Sequence, residues 1–288
     1  MLFFVISLML YLLQNFSNKQ FSGMIDRGGV SVTLVQNGLC VLSAAVILAV
    51  SGGVQVMPPS LMLLAALFGV LYLLTVFLLL KAFSLGPMGG STLMCNIGMF
   101  ISAGYGIIRF GDAFTLHIGV GTILLLGAVI LSTPMGNTDV KGGFTWFAVA
   151  LASGLANGAV ASVKREAVTA YSGGSQIFLF WGFLFAALSA TVLLLIINTG
   201  RLEVRMVLRR PKLVLCGALA GVGTAGGNLF QMLALTRLSS AVVYPLTSGF
   251  LVVSLWFASY LLYRETRLTW KNCLSVILCV AAIVMFNL

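Results

Sequence analysis

Long apolar runs alternate with short polar breaks along almost the whole chain. Ten of these runs have a length typical of membrane helices, since crossing a bilayer takes about 20 apolar residues per helix. They cover residues 1–16, 30–50, 60–80, 90–108, 116–132, 144–162, 176–198, 213–233, 240–263 and 270–288. Within them, apolar and polar residues do not alternate as they do in barrel strands. The pattern predicts an all-α polytopic membrane protein with ten transmembrane helices embedded in a lipid bilayer.

The ninth run contains a proline close to its start, where Pro245 follows Tyr244. Proline has no backbone N–H, so it frees the carbonyl of the residue four positions earlier, here Ala241. A freed carbonyl is tolerated in a membrane only where protein or a wet cavity receives it. We therefore predict a hinge at Pro245 beside a cavity, with Tyr244 placed to hydrogen-bond or stack on a solute.

Composition supports the membrane assignment. Of the 288 residues, 60% are hydrophobic and only 8% are charged, and the mean hydropathy is +1.11. A soluble domain of this length needs a more polar surface. The first run lacks a basic start and a small-residue cleavage site, so it is predicted to be a retained helix. We expect a multi-pass protein of the plasma membrane, most simply a bacterial cytoplasmic (inner) membrane.

The net charge of +10 is distributed unevenly between the two sides of the predicted membrane topology. One side carries Lys19, Arg27, Lys81, Lys141, Arg201, Arg205, Arg209, Arg210, Lys212, Arg264, Arg267 and Lys271. The other side carries Arg109, Lys164, Arg165 and Arg237. By the positive-inside rule the first side is cytoplasmic and both termini lie outside. The charge is therefore interpreted as an orientation signal, and no nucleic-acid partner is expected.

The two halves of the chain align when it is shifted by 153 residues. The segment that starts at Leu85 then falls over the one that starts at Leu238, and Asp112 coincides with Glu265. Earlier in each half, Lys19 matches Lys164 at a shift of 145. Five runs per half invert the second copy in the membrane, which produces a 5+5 inverted-topology repeat. The predicted repeats are residues 1–140 and 141–288.

The residues that end each half resemble those of the drug/metabolite transporter superfamily, in particular its EamA-type domain. The second half has Ser239, Ser240, Ala241, Pro245, Glu265, Leu268 and Thr269, and the first has Gly86, Gly90, Gly111, Asp112 and Gly119. There are departures: Arg264 replaces a glycine typical of the family, and Thr92 stands where Pro245 would have its partner. Gly90, shortly before Thr92, is predicted as the hinge of the first half. The resemblance implies a ten-helix transporter with cytoplasmic termini, against the charge count, and orientation stays open.

Uncharged polar residues inside the runs predict a cavity. On the eighth run they recur at helical spacing along one face, and the 153-residue shift places Thr75 over Asn228. The predicted cavity residues are Tyr72, Thr75, Thr92, Asn96, Asn157, Thr224, Asn228, Gln231, Tyr244, Thr247 and Ser248. Hydrogen bonds that merely hold the helices together use the same residue types. Both interpretations remain open from sequence.

The acidic residues all fall in predicted loops or at helix ends: Asp26, Asp112, Asp139, Glu166, Glu203 and Glu265. Small multidrug exporters, related through the resemblance, use an intramembrane glutamate for proton exchange, whereas the first run here offers only Gln14 and Asn15. Proton-coupled exchange of cations is therefore disfavoured, and a neutral or zwitterionic solute is expected. The five cysteines form no CxxC pair, so no metal or cofactor is predicted.

These features together predict a secondary transporter, or carrier. It would move a small polar or amphipathic metabolite by alternating access through a central cavity between the repeats, as a monomer or loose homodimer. The alternative is a non-transporting membrane assembly or accessory subunit. A membrane enzyme needs paired acids, a Ser/His arrangement or metal ligands. The chain has one histidine and no catalytic residues are predicted.

Overall fold

A computed structural model describes residues 2–25, 30–86, 88–112, 115–132, 143–171, 173–197, 200–261 and 269–287. Within these ranges the regular structure is helical throughout, with no β-strand. The α-helices are α1 Leu2–Gly23, α2 Val30–Leu48, α3 Pro59–Leu85, α4 Met88–Cys95, α5 Gly98–Phe110, α6 Leu116–Ser132, α7 Gly143–Ala170, α8 Ser175–Ile196, α9 Gly200–Leu208, α10 Pro211–Leu235, α11 Ser240–Leu261 and α12 Trp270–Asn287. A π-helical turn, Ala49–Gly53, continues α2.

Five of the helical segments are long and apolar enough to cross a membrane: α2 with its π-helical turn, α3, α7, α8 and α10. Large apolar side chains are also exposed on the outside of the bundle, including Val50 at 85%, Leu63 at 75% and Ile108 at 89%. Exposed apolar surface of this extent is suited to lipid rather than water. The prediction of an all-α membrane-embedded protein is confirmed at this level.

The fourth predicted run differs from the structure because it is not one helix. Residues 90–108 were expected to be continuous, whereas α4 ends at Cys95 and α5 begins at Gly98. At the break, the Asn96 side chain donates to the Thr92 carbonyl at 2.8 Å, which is the local bonding by which asparagine competes with helical backbone bonds. The other difference in helix number is α9, a short helix between α8 and α10.

Pro245 does not break its helix in the structure. Helix α11 begins at Ser240 and continues through Pro245 to Leu261. Proline at this position removes one helical hydrogen bond, the one to the carbonyl of Ala241, and the helix continues on both sides of it. Gly90 likewise lies within α4 rather than at its end. The hinge roles of Pro245 and Gly90 stay predictions.

Helix α7 extends beyond the predicted run, and this corrects the charge count. The run was placed at 144–162, but α7 continues to Ala170. Lys164 and Arg165, counted as loop charges on the second side, are therefore helical, and the Lys164 side chain is buried. The sequence pattern failed here because a charged pair was taken as the end of a membrane segment. Of the other charges and motif residues used above, Asp26, Arg27, Asp139, Lys141, Arg264, Glu265, Arg267 and Leu268 lie outside the described residues.

The helices pack closely where glycine removes the side chain from a crossing. Helix α10 packs on α1, where a Cβ on Gly223 would lie 2.5 Å from the Leu10 carbonyl oxygen. Helix α5 packs on α7, where a Cβ on Gly98 would lie 2.2 Å from the Gly154 carbonyl oxygen. Small residues at such crossings let backbones approach and are typical of membrane helix interfaces.

We expect Gly98→Ala to destabilise the protein by about 1–3 kcal/mol, as overpacked positions do. Its new methyl would also lie 2.5 Å from the Gly158 backbone nitrogen, and neither backbone atom can move aside as a side chain would. Gly104→Ala in the same helix is the matched control, because a Cβ there meets no heavy atom within 4 Å. Alanine forms helix more readily than glycine, so the control should be neutral or stabilising. Equal thermal unfolding midpoints for the two variants in detergent would contradict the crossing.

Candidate functional site

A polar cavity of about 110 Å³ lies inside the helix bundle. Its walls are formed by seven helices, α1, α3, α4, α5, α7, α10 and α11, and by the turn between α4 and α5. The lining residues are Tyr11, Gln14, Asn15, Tyr72, Thr75, Val76, Leu79, Thr92, Cys95, Asn96, Gly98, Ser102, Asn157, Val160, Ala161, Lys164, Asn228, Gln231, Tyr244, Thr247, Ser248 and Leu251. A single water needs about 10–15 Å³ by this kind of measure. The cavity therefore has room for several waters or a small organic solute.

The structure brings ten of the eleven predicted cavity residues to this one space. They are Tyr72, Thr75, Thr92, Asn96, Asn157, Asn228, Gln231, Tyr244, Thr247 and Ser248. Thr224 is the exception, because it is fully buried behind the wall. Its hydroxyl oxygen accepts a hydrogen bond from Tyr72 at 3.4 Å and lies 3.1 Å from the Cys40 sulfur. Thr224 therefore supports a lining tyrosine rather than facing the cavity.

Lys164 provides the charge in the cavity wall. Its side chain comes from α7 and is only 4% exposed. The ammonium donates to Asn228 Oδ1 at 3.1 Å and to Gln231 Oε1 at 2.5 Å, both on α10. It also lies 5.9 Å from the centroid of the Tyr244 ring. Among the described residues that line the cavity none is acidic, so amide oxygens and an aromatic ring surround this cation in place of a carboxylate.

Other polar groups around the cavity link neighbouring helices. Gln14 on α1 donates to the Tyr72 hydroxyl on α3 at 2.9 Å. The Tyr244 hydroxyl on α11 donates to the Ala161 carbonyl on α7 at 2.7 Å. Tyr11 on α1 donates to Gln231 on α10 at 2.9 Å. The same side chains thus face the cavity and join the helices, so the two interpretations left open by the sequence are not exclusive.

Three buried side-chain nitrogen or oxygen atoms in the described part of the chain have no hydrogen-bond partner: Asn37 Oδ1, Thr92 Oγ1 and Arg165 Nε. Of these three residues, Thr92 is the one that lines the cavity. Its side chain is 3% exposed. An unbonded buried hydroxyl costs free energy, because it has lost its hydrogen bonds to water. Thr92 is therefore a residue of the cavity wall whose hydroxyl the described part of the protein leaves unbonded.

A partly buried ion-pair cluster lies near the cavity, built around Arg165, the residue after Lys164. Arg165 donates to Asp112 Oδ1 at 3.3 Å and to the Leu235 carbonyl at 3.0 Å. Asp112 in turn accepts from the backbone N–H of Ser240 at 3.2 Å and from its hydroxyl. These contacts connect the end of α5 to α7, the C-terminus of α10 and the N-terminus of α11. The cluster fixes four helices at one end of the bundle.

Four polar residues of the cavity wall were not predicted from the sequence to share one surface: Lys164, Tyr11, Gln14 and Asn15. Gln14 and Asn15 were noted only for being uncharged. The helical spacing contained the information: Tyr11, Gln14 and Asn15 are three and four residues apart, which places them on one helix face. Asn157 and Lys164 are seven residues apart, which also returns to one face. In the described part of the chain, no cluster of three His, Cys, Asp or Glu residues is placed to bind a metal.

No protein-family model matches the chain, and no curated protein matches its sequence. Solved structures do match it in fold. One crystal structure of a protein aligns over 99% of this chain and 98% of its own, with a TM-score of 0.67 and 14% sequence identity. At this identity the similarity shows a shared fold and carries no information on activity.

Proposed function

We propose that the protein is a secondary transporter that moves a small polar or amphipathic metabolite by alternating access. The observation that carries this proposal is the cavity of about 110 Å³, lined mainly by polar residues, inside a bundle of apolar helices. Polar and ionisable groups are expensive within a bilayer and mark substrate pathways. Apolar side chains at Val76, Leu79 and Leu251 complete the wall, so the cavity suits a solute with both polar and apolar parts.

We also propose that the helices form ten crossings in a 5+5 inverted repeat, with halves 1–140 and 141–288. In this scheme α1, α2, α3, α4 with α5, and α6 correspond to α7, α8, α10, α11 and α12, and α9 is an insertion. Helix packing supports the scheme. When the two halves are exchanged, the contact of α1 with α10 becomes the contact of α7 with α3, and both contacts are present. The contact of α3 with α8 likewise becomes that of α10 with α2, and both are present. Two further contacts, α2 with α8 and α6 with α12, each join a helix to its own counterpart in the other half.

Two close glycine crossings add support for this repeat. A Cβ on Gly69 in α3 would lie 2.4 Å from the Gly182 carbonyl oxygen in α8. A Cβ on Gly221 in α10 would lie 2.7 Å from the Cys40 carbonyl oxygen in α2. Gly69 and Gly221 are related by almost the same shift that aligned the sequence halves. Equivalent helices would thus cross in equivalent ways.

The helix break at Asn96 favours a carrier further. Discontinuous helices near the middle of the membrane are typical of substrate sites in secondary transporters. Here the break between α4 and α5 lies at the cavity, because Asn96 and Gly98 both line it. On these grounds and the sequence resemblance, we propose membership in the drug/metabolite transporter superfamily, with an EamA-type architecture and a location in a bacterial plasma membrane.

The carrier proposal predicts saturable flux in sealed proteoliposomes for at least one class in a panel of small carboxylates, amino acids, amines, nucleosides and sugars. Ser248→Leu adds bulk to the cavity wall and should strongly reduce that flux. Ser84→Leu makes the same change at an exposed position of α3 and should leave it unchanged. Protein-free vesicles give the background leak. Correctly inserted protein that moves none of these solutes would instead favour a non-transporting assembly or accessory subunit.

A further inference from the structure

No described residue of the cavity wall carries a negative charge that would balance the ammonium of Lys164. Lys164 is 4% exposed, and its two hydrogen-bond acceptors are the neutral amides of Asn228 and Gln231. An ammonium has three donor hydrogens, so these acceptors leave one for a ligand. The neighbouring cation, Arg165, is already paired with Asp112 at 3.3 Å. Lys164 is therefore the charge available to an occupant.

Charge compensation restricts what that occupant can be. A buried cation surrounded only by dipoles is costly, and a counter-charge within hydrogen-bond distance offsets much of that cost. One negative charge neutralises Lys164. A phosphate monoester, with about −1.5 to −2 charges, leaves an excess of negative charge with a single cation. A zwitterion brings a second cation, for which the described cavity wall supplies no carboxylate.

The remaining walls indicate the shape of the rest of the molecule. Val76, Leu79 and Leu251 give the cavity an apolar side. The Thr92 hydroxyl is buried and without a partner, so it can donate to an oxygen of the occupant. A carboxylate with a small apolar body satisfies the cation, the hydroxyl and the apolar surface together.

We propose, building on the transporter proposal, that the cavity binds a small monoanionic organic acid whose carboxylate pairs with the Lys164 ammonium. The apolar part of the acid packs against Val76, Leu79 and Leu251. This replaces the neutral or zwitterionic solute expected from sequence with an anion. The expectation changes because Lys164, assigned to a loop in the sequence analysis, lies in the cavity wall.

Benzoate, benzamide and benzylamine test this charge selectivity, because they are similar in size and differ in charge. Each is titrated into the purified full-length protein in detergent, with affinity measured by calorimetry. Benzoate should bind at least tenfold more tightly than the other two. In Lys164→Met its affinity should fall by roughly 10- to 100-fold, the loss expected for a charged hydrogen bond. Lys164→Arg should retain most of it, and Lys212→Met, at an exposed position of α10, should retain all of it.

Equal binding of benzoate and benzamide to the wild-type protein would overturn the proposal. So would tighter binding of phenyl phosphate, which would indicate a dianion site, or of dodecanoate, which would indicate a membrane-derived acid. If Lys164→Met does not fold, the ratio of the benzoate affinity to the benzamide affinity, measured for the wild type and for Lys164→Arg, still tests the proposal. Benzoate binding without flux in proteoliposomes would support the anion site and contradict the carrier. Saturable benzamide flux without benzoate binding would support the carrier and contradict the anion site.

Discussion

Replacing Arg165 with methionine is expected to destabilise the protein by about 3 kcal/mol, the low end of the range for a broken buried pair, because it leaves a largely buried carboxylate without its ion partner. The side chains of Arg165 and Asp112 are 16% and 8% exposed. Methionine keeps much of the length and apolar stem of arginine but none of its donors. The Leu235 carbonyl also loses the guanidinium donor that it accepts at 3.0 Å. Thermal and denaturant unfolding of the purified protein measures the loss.

A second ion pair between the same two helices is the matched control. Arg109 near the end of α5 donates to Glu166 on α7 at 3.1 Å, but its side chain is 64% exposed. Solvent-exposed ion pairs contribute little to stability, so Arg109→Met should have a small effect. Combining Arg165→Met with Asp112→Asn should restore part of the loss, since the uncompensated charge is removed. Equal effects of the two arginine variants would show that the Arg165 cluster does not hold the helix ends together.

This cluster also has a consequence for the proposed transport cycle. In alternating access, one half of the bundle moves against the other, and the contacts at a closed end must separate. Arg165 and Asp112 connect helices assigned to different halves, since Asp112 follows α5 whereas Arg165 lies on α7. Ser240 on α11 extends the connection through its bonds to Asp112. The same contacts that stabilise the bundle would therefore set the cost of opening that end.

The helical, membrane-embedded character of the protein was predictable because it follows from local hydropathy. A run of about 20 apolar residues has few stable alternatives in lipid, where each backbone group must be bonded within its own segment. The faces of these helices were predictable as well, since spacing of three and four residues places side chains such as Asn228 and Gln231 together. This is why most of the predicted cavity residues lie in one space in the structure.

The predictions that were wrong concerned positions that depend on contacts between helices distant in sequence. The end of α7 was placed too early because a lysine followed by an arginine normally leaves the bilayer. Here Lys164 finds acceptors on α10, and Arg165 finds Asp112 beyond α5. The break at Asn96 has a local bond, from the Asn96 side chain to the Thr92 carbonyl, and a distant contact, since α5 starts at Gly98, where α7 approaches too closely for any side chain. The distant partners of these residues are not visible within their own runs.

Asn228→Leu is expected to reduce transport by roughly 10- to 100-fold, because Lys164 loses one of its two acceptors. Leucine has a similar size to asparagine, so the helix packing around α10 should be retained. Asn228 also donates to the Thr224 carbonyl on its own helix, at 2.8 Å, and this bond contributes little to the association of helices. Initial flux in proteoliposomes at matched protein content measures the effect, with the thermal midpoint as a second readout.

Asn37→Leu separates a cavity role from a purely structural one. Asn37 is fully buried on α2 and donates to the Leu73 carbonyl on α3 at 2.9 Å, but it is not among the residues of the cavity wall. Interhelical hydrogen bonds in membranes contribute about 0.6 kcal/mol on average and up to about 1.7 kcal/mol. Asn37→Leu should therefore lower stability by no more than that amount, because it also removes the unbonded Asn37 Oδ1, and should leave flux per folded molecule unchanged. If flux instead follows stability in both variants, the polar residues merely hold the bundle together, and the cavity is not a transport site.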